Sequence, residues 1–132
     1  MSEFSPVERE AIAVQFIRVP DGLEHIRRAW DELVAVVDLH GRHFYGAFDP
    51  LADDYRACVE VREGHGLAPE LESGTLPGGR YLRARLRGDP PGIYERIGPT
   101  FQELTRHTKP DETRPSLEHY RRHDEIDLLL PI

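Results

Sequence analysis

"RPSLEHYRRHDEIDLLLPI", Arg114 to Ile132, decides how the rest of the chain is read. Two runs, Leu117 to Arg121 and Ile126 to Pro131, flank a polar turn and read as adjacent strands. A strand alternates its faces, so Glu118 and Tyr120 point one way while Leu117 and His119 point the other. A glutamate on a short strand is ordinarily a solvated charge, because unpaired carboxylates are almost never fully buried. On the same face as an aromatic ring, it is alternatively the centre of a site.

Working back from this hairpin, "DPPGIYERIGPTFQELTRH" carries apolar residues at helical spacing, namely Ile93, Ile97, Phe101 and Leu104. Pro99 lies inside that stripe and should kink or restart the helix. Before it, "RYLRARLRG" reads as a strand, with Leu82, Ala84 and Leu86 on its dry face. Arg83, Arg85 and Arg87 read as a solvated face, or else as a patch for an anion or acidic partner. The first part of the chain repeats this order. "AIAVQFIRV" reads as a strand buried on both faces. A helix follows with Ile26, Trp30, Leu33, Val34 and Val37 on one stripe, Asp21 and Glu24 as a capping box, and Gly41 as a stop. "HFYGAFDP" reads as a strand broken at Gly46, and "DYRACVEV" as another with Tyr55, Ala57 and Val59 on one face.

Strand, helix, strand, strand therefore occurs twice. A shift of 68 places lays Phe101 on Leu33, and one of 71 lays "IDLLLPI" on "YRACVEV". We expect a single α+β domain of two β-α-β-β modules, residues 10–62 and 80–132, related by a pseudo-twofold axis. The Gly- and Pro-rich residues 63–79 are expected to link them as a loop. Each helix covers one face of a three-stranded antiparallel sheet, and the other faces need each other. A groove between two such halves is a favoured place for a small molecule.

Composition narrows the function. The 132 residues suit one domain, and no apolar run approaches the roughly 20 residues of a membrane helix. No secretion signal is visible, and Cys58, the one cysteine, cannot form an internal disulfide, so a cytoplasmic location is expected. A net charge of -7 argues against broad binding to the phosphate backbone of nucleic acid and leaves room for a cationic ligand. The seven histidines form no pattern with metal-ligand spacing, so neither a metal nor a cofactor is expected.

The motifs "HFYGAF", "DYRACVEV", "LPGGRYLRARLRG", "FQEL", "RPSLEHY" and "IDLLLPI", taken in order, resemble the GyrI-like small-molecule-binding domain. This is also the effector-binding domain of AraC-type and MerR-type multidrug regulators. The resemblance implies the same tandem repeat, with Glu118 at the centre of a groove walled by aromatics. It implies bulky amphipathic ligands, often cationic, for sensing or sequestration. The chain departs from the pattern at "IGPT", where relatives carry an aromatic and no proline. Lacking room for a DNA-binding domain beside this one, the chain is expected not to be a transcription factor.

Tyr120 belongs with Glu118, whose face it shares. Phe44, Tyr45, Phe48 and Tyr55 lie on strands and are either core or groove wall. Trp30 is core packing or the rim. Two further readings remain open. In one, the resemblance implies hydrolysis of cyclopropane-bearing DNA alkylators, with Glu118 activating water beside the Tyr120 hydroxyl. In the other, the protein contacts DNA gyrase or another protein through its outer surface.

Overall fold

The computed structural model describes residues 4–132. Its elements run β1 (Phe4–Arg9), β2 (Ile12–Pro20), α1 (Leu23–Val36), β3 (Phe44–Asp49), β4 (Asp54–Glu60) and β5 (Glu72–Leu76). They continue β6 (Gly79–Arg87), α2 (Gly92–Glu95), α3 (Ile97–His107), β7 (Ser116–Arg122) and β8 (Glu125–Pro131). The strands form one antiparallel sheet in the order β1-β6-β8-β7-β3-β4-β2-β5. The expected repeat is there, as β2-α1-β3-β4 and β6-α2-α3-β7-β8. Its two sheets are continuous with each other through β3 and β7.

The β3–β7 ladder shows where the pseudo-twofold axis passes. Phe44 pairs with Tyr120, Gly46 with Glu118, and Phe48 with Ser116. Gly46 also pairs with Ala57 on β4, and Glu118 with Leu128 on β8; the shift of 71 that lays "IDLLLPI" on "YRACVEV" lays Leu128 on Ala57, so Gly46 and Glu118 hold equivalent places in the two repeats. Gly46 and Glu118 are therefore both partners in the ladder and mates under the symmetry. They lie on the axis.

Two strands were not legible as such. β1 precedes the first repeat yet pairs with β6 of the second. β5 lies inside the expected linker, precedes the second repeat, and pairs with β2 of the first. Each repeat is thus edged by the strand that leads into the other. In a flat sheet, six strand spacings of about 4.8 Å would hold β1 roughly 29 Å from β2. The residues joining them, Glu10 and Ala11, reach only about 10 Å. The sheet must curl. Gly78, in the corresponding link from β5 to β6, lies against the first link. A Cβ there would sit 2.7 Å from Arg9 O and 2.7 Å from Ala11 N.

The curl encloses one core and leaves two outside. The inner core joins Val14 and Phe16 on β2 to Tyr81 on β6 and Leu129 on β8, across the full width of the repeats. Tyr81 is fully buried there, so the face of β6 that carries Arg83 and Arg85 is not simply solvated. On the outer face, α1 packs on β2 and β4, and α3 packs on β6 and β8. Ala29 and Leu33 of α1, and Ile93 and Leu104 of α2 and α3, are completely buried against the sheet. Val34 is 44% exposed. It follows Leu33 by about 100° around the helix and so leaves the apolar stripe.

Helix ends differ from the sequence reading at α1. Its N-cap is Gly22, with no side-chain cap, so Asp21 and Glu24 do not form a capping box. It ends at Val36, and the Val37 N–H bonds to Leu33 O well before Gly41. In the second repeat the helix does restart, as α2 and then α3. Pro99 falls in the first turn of α3, where its missing N–H costs no helical hydrogen bond. Gly46 does not break β3, which pairs without interruption on both sides.

Candidate functional site

The helices stand over β2–β4 and β6–β8, which leaves the central strands β3 and β7 as the floor of a seam between them. Side-chain alternation sends Glu118 and Tyr120 up into this seam, along with Phe44 and Phe48. Tyr55 reaches it from β4 and Trp30 from α1.

These groups form one hydrogen-bonded chain. Trp30 Nε1 donates to Tyr55 Oη at 3.1 Å, and Tyr55 Oη donates to Glu118 Oε1 at 2.8 Å. Tyr120 Oη donates to the same Oε1 at 2.6 Å. Every donor in this set is neutral. Among the described residues, no arginine, lysine or histidine forms an ion pair with Glu118. Burial raises the pKa of the Glu118 carboxyl, and the hydrogen bonds from Tyr120 and Tyr55 offset only part of that rise. The same burial, with the carboxylate charge beside them, holds both tyrosine hydroxyls well above their usual range. Tyr55 and Tyr120 therefore remain protonated donors at neutral pH.

Rings surround the carboxyl. Trp30 meets Tyr120 edge-on at 5.2 Å and Phe44 at 6.2 Å. Tyr94 on α2 meets Tyr120 from the other side at 6.5 Å and is 46% exposed. Phe48 packs with the α1 core, half-buried on the seam face of β3. The structure thus brings together Glu118, Tyr120, Tyr55, Trp30, Phe44 and Phe48, four of which the sequence reading had left open between core and groove. That reading missed Tyr94, whose signal was an aromatic one residue beyond the buried Ile93 on an otherwise polar side of the helix.

Tyr45 lies apart from them, in the core. It alternates with Phe44 and Gly46 and so lies on the inner face, 3% exposed. There it stacks on His119 at 4.4 Å and accepts a hydrogen bond from Arg9 Nη2 at 3.1 Å. With Arg9 and Glu60 it lines a cavity of about 430 Å³ that opens away from the seam. His119 is neutral, its pKa pushed down to about 4 by burial and then by the Arg9 charge. Cys58 is fully buried in the same core, and burial raises its thiol to about 12. No cluster of metal-ligating side chains occurs among the described residues. No helix among them is long and apolar enough to cross a membrane.

Comparison with known proteins supports this fold. The integron cassette protein VCH_CASS2 of Vibrio cholerae superposes with a TM-score of 0.77 at 13% identity, covering 97% of this chain and 94% of that one. SAV2435, solved bound to tetraphenylphosphonium, gives 0.69 at 15% identity over 98% and 93%. The C-terminal domain of EcmrR gives 0.65 at 12% identity over 99% and 97%. At these identities the likeness is one of fold. No curated protein matches by sequence. The family model described as Cass2, integron-associated effector binding protein, matches residues 15–132. This chain belongs to that family of effector-binding, small-molecule-binding domains.

Proposed function

We propose that the seam over β3 and β7 binds bulky aromatic cations, and that Glu118 supplies the attraction. The observation that carries this reading is a carboxylate held only by neutral hydroxyls, with no cation of the protein's own to neutralise it. In a site of low dielectric such a charge attracts a cation far more strongly than it would in water. The faces of Trp30, Tyr120 and Tyr94 add cation–π attraction of about 0.5–2 kcal/mol each. Apolar, aromatic walls around one charge select for size, apolar surface and sign without reading detailed shape. The family is one of effector binders, and SAV2435 accommodates a bulky aromatic cation on the same fold. Such a binder would sense or sequester toxic amphipathic compounds.

The test is titration calorimetry with tetraphenylphosphonium and the neutral triphenylphosphine oxide, on the wild type and Glu118→Gln. Losing one partner of a buried charge pair costs about 2–5 kcal/mol. Affinity for the cation should therefore fall by roughly 30-fold or more, at about 1.4 kcal/mol per tenfold. Affinity for the neutral compound should hardly change. Equal losses for both would mean that Glu118 shapes the site without attracting charge. No loss for either would return it to an ordinary strand residue.

A further inference from the structure

Gly46 is not explained by its backbone. It lies mid-strand and is not among the residues of positive φ. A glycine inside a strand weakens it, and one common reason for tolerating that is close approach by another group. The groups here are identifiable. A Cβ on Gly46 would lie far inside van der Waals contact of both Tyr55 Oη and Glu118 Oε1, and 2.9 Å from Tyr55 Cζ. These are the atoms of the hydrogen bond that anchors the carboxyl.

The symmetry sharpens the point. Gly46 is the mate of Glu118 across the pseudo-twofold axis and faces it directly in the ladder. Directly opposed strand residues ordinarily both carry side chains, but here the Glu118 carboxyl and the Tyr55 hydroxyl lie over position 46. One position must be empty for the other to fold its carboxyl down against β3, between Tyr55 and Tyr120.

We propose that Gly46 is a positioning and specificity-determining residue: the absence of its side chain is the seat of the Glu118 carboxyl and sets how deep the negative charge lies. This rests on the reading of Glu118 as the ligand-attracting charge. A deep carboxylate is reached only by a cation that sheds its water and fills the seam between the rings. A raised one is open to any small hydrated cation and loses its preference. A methyl at position 46 lifts the carboxyl toward solvent and breaks the Tyr55 hydrogen bond.

The experiment uses Gly46→Ala with two readouts. The first needs no ligand: the Glu118 side-chain carboxyl carbon is followed by NMR as pH is varied. In the wild type its midpoint should lie above the ordinary glutamate value, because the carboxyl is buried. In Gly46→Ala it should move back toward that value, about 4.3. A merely structural glycine would lower the melting temperature and leave this midpoint in place, which would overturn the proposal. The second readout is titration with tetraphenylphosphonium and triphenylphosphine oxide. The cation should lose about tenfold or more, and the neutral compound much less. Equal losses would overturn the claim on specificity.

Tyr55→Phe, which removes the nearest oxygen, keeps the test decisive if Gly46→Ala folds poorly. The melting temperature lost to Gly46→Ala should be at least half recovered in the Tyr55→Phe background. The same loss in both backgrounds would show that the methyl does not compete for this space. If neither compound binds the wild type, the reading of Glu118 as a ligand site fails, while the NMR midpoint still decides whether Gly46 is the seat.

Discussion

Glu118 on β7 and Asp127 on β8 lie on neighbouring strands, one on each face of the sheet. Asp127, 1% exposed, faces the inner core side and is met by Arg85 through two hydrogen bonds of 2.7 and 3.1 Å. Arg121 adds a contact of 3.5 Å. Burial alone would raise the Asp127 carboxyl, but the hydrogen bonds and charges of Arg85 and Arg121 outweigh it and hold the pKa low. Glu118 receives two hydrogen bonds as well, yet from neutral hydroxyls, and its pKa is raised. The difference lies in the donors' charge and not in their number. One carboxylate is neutralised within the fold and contributes to its stability. The other is left uncompensated, at a cost to stability, and that is what makes it available to a ligand.

This contrast can be broken most sharply at Asp127. Asp127→Asn leaves two arginines facing a neutral amide. Removing one partner of a buried ion pair costs about 3–5 kcal/mol, and the partial exposure of both arginines lowers this to about 2–4 kcal/mol. Urea denaturation should show that loss, and an unchanged midpoint would mean the pair is no more than a surface contact.

The next largest effect is in pH dependence. His119 has a folded pKa of about 4, below its unfolded value of about 6.5. The unfolded chain then takes up the proton first as pH falls, so stability is full above pH ~6.5 and declines down to pH ~4, by up to about 1.4 kcal/mol per pH unit. His119→Phe preserves the stacking on Tyr45 and should remove this slope. Glu118 has the opposite sign. Its raised folded pKa means that the folded state binds the proton first. Its burial cost is present above that pKa and is relieved as pH falls toward about 4.3. Glu118→Gln should accordingly be as stable as the wild type or more so at pH 7, with the difference vanishing near pH 4. A destabilised Glu118→Gln at pH 7 would contradict the reading that its charge is uncompensated.

The smallest effect compares two tyrosines. Tyr45→Phe, on the inner face, should leave tetraphenylphosphonium affinity unchanged and cost about 1 kcal/mol or less of stability. Tyr55→Phe should weaken binding of the cation by loosening the carboxylate. Equal binding effects would erase the distinction between the faces.

The faces of β7 were legible in the sequence because alternation is a local rule, and it puts Glu118 and Tyr120 on one side; whether Tyr55, Trp30, Phe44 and Phe48 are core or groove wall depends on packing between elements, which no local rule reaches. The same rule, applied to β3, would have separated Tyr45 from Phe44 and Phe48. It was masked by reading Gly46 as a break. β5 was missed because Glu72, Ser73, Gly74 and Thr75 are all exposed on an edge, which leaves only Leu76 to announce burial. β1 was missed because Pro6 argues against a strand, although an edge strand tolerates it. Both strands owe their existence to partners far away in sequence. The role of Gly46 was invisible for a related reason: it is defined by atoms of Tyr55 and Glu118 and not by its own chain neighbours.

That exchange of edge strands bears on how the chain reaches its native state. Phe4 pairs with Ala84, 80 positions on. During synthesis, β1 emerges well before β6 and waits for it, with Val7 and Phe4 lacking the cores they belong to. Pairings of such long range place a chain among the slow folders, on the millisecond-to-second scale. Neither repeat cut out at its own boundaries would carry both of its edges, so the two are bound to fold together as one cooperative unit.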